Sequence, residues 1–109
     1  MTEYDPHEAI NYIYTHRKAY AKAKGQLAQL EVYKSSLKAI MMKKSNEQTI
    51  GAQEREAYAS QEYIDLGHAI GAATEQVEEQ KFALEAAKMR FQAWQTESAN
   101  NRQLEKFTI

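Results

Sequence analysis

Between Tyr63 and Trp94 apolar residues recur at alternating steps of three and four, and this repeat constrains the fold more than any other feature. Tyr63, Ile70, Val77, Leu84 and Phe91 fill one heptad position, while Leu66, Ala73, Gln80, Ala87 and Trp94 fill the other. Five heptads kept in step call for a long helix with one face buried along a second helix. Ala, Glu, Lys, Leu and Arg make up close to half of the 109 residues, as in long helices and coiled coils. Two Val, one Pro and four Gly leave too little for a sandwich, a barrel or a doubly wound sheet. With no cysteine, disulfides, thiolate catalysis and Cys-based zinc sites are excluded.

A partner for that helix lies upstream. Asp5 caps, Pro6 suits the first helical position, and Glu8 completes an Asp-x-x-Glu box. From there Ile13, Tyr20, Leu27, Lys34 and Met41 alternate with His16, Ala23, Leu30 and Leu37. Tyr12, Ala19, Tyr33 and Ile40 widen the face. The pattern fades at Lys43-Lys44-Ser45-Asn46, where two cations suit a helix C-terminus and Asn46 suits a left-handed turn. The expected layout is one all-α domain: a helix over about 6–44, a tip over 45–60, a helix over about 61–101 and a frayed tail over 102–109. Within the tip, 45–51 reads as loop and Ala52–Ala59 as one or two helical turns, with Ser60 as the next N-cap. Two long helices of matched length joined by a short segment predict an antiparallel coiled-coil hairpin. Its expected register pairs residues whose numbers add to about 103 or 104, setting Leu37 by Leu66 and Ile13 by Phe91.

Two helices make a thin core, and several apolar residues fall outside the seam. Tyr14, Val32, Met42, Ile64, Phe82 and Met89 would face water in a lone hairpin, which predicts a homodimer closing into a four-helix bundle. The longest uncharged run, Leu66 to Thr74, is nine residues, far short of a membrane span of roughly 20. The acidic start MTEYDPHE has no apolar h-region, so the expected setting is the cytoplasm, with no membrane partner.

The net charge of −1 conceals segregation. Residues 11–46 carry eight Lys or Arg against Glu31, and residues 47–86 carry nine acids against Arg55 and Lys81. In the basic block Arg17, Lys18, Lys22, Lys24 and Lys38 are interleaved with tyrosines, the residue types with which single-stranded nucleic acid is held. Lys22, Lys24 and Lys38 could instead neutralise the acidic second helix. His7, His16 and His68 fall in different segments, and no Glu-x-x-His pair recurs on facing helices, so no metal or other cofactor is expected and His16 reads as a packed seam residue. Ser35, Ser36, Ser60 and Ser98 have no histidine nearby, so no catalytic residue is assigned. Gly67-x-x-x-Gly71 sits among charges inside the repeat and reads as close backbone approach or a weak point in the helix.

The stretch GAQEREAYASQEYIDL (Gly51 to Leu66), with Trp94-Gln95-Thr96-Glu97-Ser98-Ala99-Asn100-Asn101-Arg102 further on, resembles small helical proteins of bacteriophages and prophages encoded in recombination or single-strand-annealing gene clusters. That resemblance runs from about Tyr20 to Arg102 and implies an accessory role near phage DNA metabolism in the host bacterial cell. Its most specific part lies at the tip, where packing alone does not demand so polar a sequence. Gln53, Glu54, Arg55, Glu56 and Tyr58 are therefore the expected contact surface for a phage or host DNA-metabolism protein. The function expected is a non-enzymatic adaptor. The alternatives are a direct single-stranded DNA-binding mediator and an inhibitor presenting an acidic face to a host nuclease or defence protein.

Overall fold

The computed structural model describes residues 3–107 and is an all-α helical hairpin. Helix α1 runs Pro6–Lys44, α2 runs Ile50–Ala59 and α3 runs Gln61–Phe107, with no strand among the described residues. The start of α1 follows its cap: the Asp5 carboxylate accepts from the His7 amide at 2.9 Å and the Asp5 carbonyl from the Glu8 amide at 3.1 Å. Lys43 and Lys44 occupy the last turn of α1. The expected left-handed Asn46 is not found, since no described residue has positive φ. The far end departs from expectation too. Helix α3 continues through 102–107, where a frayed tail was predicted, while Thr108 and Ile109 lie outside the described residues.

The chain divides into two compact units. One combines the residues up to Tyr20 with those from Glu79 onward; the other is Ala21–Glu78. Along α3 every member of the repeat is buried or half-buried, from Tyr63 through Leu66, Ile70, Ala73, Val77, Gln80, Leu84, Ala87 and Phe91 to Trp94. On α1 the seam holds at Ile13, Tyr20, Ala23, Leu27, Leu30, Leu37 and Met41. It fails at two polar members. Lys34 is exposed, and His16 is not packed in the seam: its ring stacks on Tyr12 at 3.9 Å and its Nδ1 lies 2.8 Å from the Tyr12 carbonyl oxygen. Desolvating either against an apolar face would go uncompensated, so both stay wet.

The arms meet about one heptad away from the expected register. In the first unit the Arg90 guanidinium lies over the Tyr4 ring at 5.2 Å, and in the second Lys38 Nζ lies over Tyr58 at 4.9 Å. Both pairs have numbers adding to about 95, because the chain reverses at Ser45–Thr49 and α2 already belongs to the returning arm. The core is slim. Ala9, Ala23, Leu37, Ala57, Leu66 and Val77 are the buried apolar residues.

Gly25, Gly67 and Gly71 are helical, and a Cβ at any of them would meet nothing within 4 Å. Close approach within the chain therefore does not account for them, although each costs the helix about 1 kcal/mol relative to alanine. In dilute solution Gly67→Ala and Gly71→Ala should each raise unfolding free energy by about 1 kcal/mol, read from urea titrations.

Candidate interaction surface at the helix tip

The tip is built from short-range hydrogen bonds rather than from apolar packing. Where α1 ends, the Ser45 amide donates to the Met42 carbonyl at 3.1 Å. The Ser45 hydroxyl accepts from the Glu47 amide at 3.1 Å and donates to Glu56 Oε2 at 2.6 Å. Thr49, with extended backbone, caps α2 by accepting the Ala52 amide on Oγ1 at 3.2 Å. This cap starts α2 at Ile50, two residues earlier than the sequence suggests. Gln53 Nε2 reaches back to the Glu47 carbonyl at 3.0 Å and holds the loop against the helix.

Ser60 closes one helix and opens the next. Its amide donates to the Ala57 carbonyl at 3.2 Å, and its hydroxyl accepts the Tyr63 amide at 3.3 Å. Its extended backbone (φ −66°, ψ 147°) sets the break between α2 and α3. Beneath the tip Ala57 is only 1% exposed.

Of the five residues expected to contact a partner, four are tied into this scaffold. Gln53 and Glu56 make the bonds just described. Glu54 pairs with Lys38 at 3.6 Å, and Tyr58 receives Lys38 on its face while meeting the Tyr63 ring edge-on at 5.2 Å. Arg55 projects into solvent beside them. The Tyr58 phenol, with help from the Glu54 carboxylate, holds the Lys38 ammonium above its ordinary 10.5, against a smaller opposing pull from partial desolvation. Because the folded-state value is raised, the stability this contact contributes is fully present below 10.5 and is lost as pH climbs above it. The difference in melting temperature between wild type and Lys38→Gln should stay constant through neutral pH and shrink only above 10.5.

The basic block is placed differently. Arg17 lies 4.0 Å from the Tyr14 ring centroid and bonds the Tyr14 carbonyl at 3.4 Å, with both side chains exposed. Lys18, Lys22 and Lys24 are also exposed, whereas Lys38 is drawn into the tip. Among the apolar residues expected to face water, Tyr14, Val32, Ile64, Phe82 and Met89 do so, but Met42 is half-buried in the last turn of α1.

A groove of about 530 Å³ in the first unit runs between Glu3, Tyr4, Asp5, Glu8 and Ala9 on one side and Ala86, Ala87 and Arg90 on the other. The Tyr4 hydroxyl is buried without a hydrogen-bond partner. Sequence reasoning missed this place, because Tyr4 precedes the helix and Arg90 stands off the repeat.

No protein-family model, curated protein or solved structure matches the chain. Among the described residues no cluster of His, Cys, Asp or Glu is grouped to hold a metal ion, and no helix is long and apolar enough to cross a membrane.

Proposed function

We propose that this chain is a non-enzymatic adaptor that binds another protein through its tip, in the setting of phage DNA recombination or replication. The observation that carries the reading is the construction of the tip. Thr49 and Ser60 cap α2 at both ends, and Ser45, Gln53 and Lys38 anchor it, so Arg55 and Tyr58 are offered from a pre-formed surface. Pre-formed surfaces lose less entropy on binding, and Arg and Tyr are enriched among residues that dominate interface energies. The phage setting rests on the resemblance of the Gly51–Leu66 stretch.

The test compares wild type with the double variant Arg55→Glu, Tyr58→Ala as bait against the lysate of the bacterium from which the gene comes. A protein retained by wild type and lost by the variant, at unchanged helicity, supports the reading. Equal retention by both sinks it. A second reading, direct contact with single-stranded DNA, is favoured by the exposed Arg17–Tyr14 stack with Lys18 beside it. Anisotropy of labelled oligonucleotides at two salt concentrations decides it: binding that falls steeply with salt and is lost in Arg17→Ala favours DNA.

A further inference from the structure

We infer that the outward face of α1 between Ala21 and Val32 docks on the outward face of α3 between Ile64 and Glu75 of a second copy of this chain. Both faces belong to the unit Ala21–Glu78. On α1, Ala21, Gly25, Ala28 and Val32 follow one another at steps of four, three and four, so they share a face. All four are exposed, Val32 at 74%, and Ala28 and Val32 line a shallow groove with Gln29, Tyr33 and Ser36. On α3, Ile64, Gly67, Gly71 and Glu75 make the matching exposed row.

Three of the four glycines with open space at Cβ, Gly25, Gly67 and Gly71, sit in these two rows. Their helix-propensity cost has no return inside the chain, whereas a row without Cβ atoms lets a neighbouring helix come close. With two copies side by side and pointing the same way, residues whose numbers add to about 95 lie level. Gly25 then meets Gly71, Ala28 meets Gly67, and Val32 meets Ile64, while Lys22 comes beside Glu75.

Charge selects the occupant. Residues 21–34 carry three lysines against Glu31, and residues 61–78 carry four acids and no Lys or Arg. Two α1 faces would repel one another, and so would two α3 faces; α1 against α3 attracts. A second copy supplies the complementary arm at the complementary height. This contact is separate from the tip and does not depend on it.

The test is sedimentation of the full chain across about two decades of concentration, up to about 500 µM. Wild type should rise from 12.5 kDa to at least twice that mass. The association should weaken in high salt. Gly25→Leu and Gly71→Leu should each weaken it by about tenfold or more while keeping the helical signal, since neither side chain meets an atom of its own chain at Cβ. Lys22→Glu and Glu75→Lys should each weaken association, and mixing the two variants should restore the pairing of unchanged charges. A mass fixed at 12.5 kDa throughout would overturn the inference, whether the face is vacant or serves an acidic helix of another protein. Association unaffected by Gly25→Leu, Gly71→Leu and both charge reversals would overturn it equally.

Discussion

Replacing Leu66 by alanine should lower the unfolding free energy by about 2–5 kcal/mol, a large part of the roughly 5–15 kcal/mol expected for a domain of this kind. Leu66 is 8% exposed and is the second member of the α3 repeat, close to where that helix begins. Removing its isobutyl group forfeits the transfer energy of the lost carbons and leaves a gap in a core that has few other buried side chains. The urea midpoint should fall while the slope is kept, because the surface exposed on unfolding barely changes. Val32→Ala is the control. At 74% exposure the same kind of truncation should shift dilute-solution stability by no more than about 0.5 kcal/mol. Equal losses at Leu66 and Val32 would mean that the seam is not where the folding energy is concentrated.

The contrast between those two residues shows what the sequence makes legible. Burial at Leu66 and exposure at Val32 both follow from spacing, because a heptad position fixes which way a helical side chain points. The first helix is equally readable, since Asp5, Pro6 and the paired lysines mark its two ends by local chemistry. The tip is harder. Thr49 is the cap of α2, yet nothing local in the sequence distinguishes Thr49 from Ser45 as the place where that helix begins. Taking Ser60 as the start of the returning arm put the register out by about one heptad, since Ser60 separates two helices of the same arm. A spacing repeat cannot reveal such a slip, because a shift of seven residues returns apolar residues to the same face. The candidate contact residues were legible as a polar run, but their division between structural anchors and Arg55 was not. That division depends on Lys38 and Ser45, which belong to a different helix and a different stretch of sequence.

Ala57 is the hinge of that tertiary arrangement, and Ala57→Asp should release α2 with little loss elsewhere. The methyl group is 1% exposed, so a carboxylate there would surrender its hydration. Glu54 and Glu56 stand nearby in sequence and oppose the new charge. The cost, several kcal/mol, exceeds what ten residues of helix can repay through two caps worth about 1 kcal/mol each. The break at Ser60 lets α2 detach as a unit, because Tyr63 and Ile64 keep their bonds to Ser60 while the α2 side lets go. In hydrogen exchange, amides of 50–59 should lose protection almost entirely, whereas those around Leu27 and Val77 keep most of theirs. Acid should partly reverse the effect, since protonating the new carboxyl removes the buried charge. Global loss of protection would show instead that α2 is the keystone of the whole Ala21–Glu78 unit. Loss confined to α2 would leave Arg55 and Tyr58 on an unstructured segment, and the affinity for a protein partner should then fall even though neither residue has been changed.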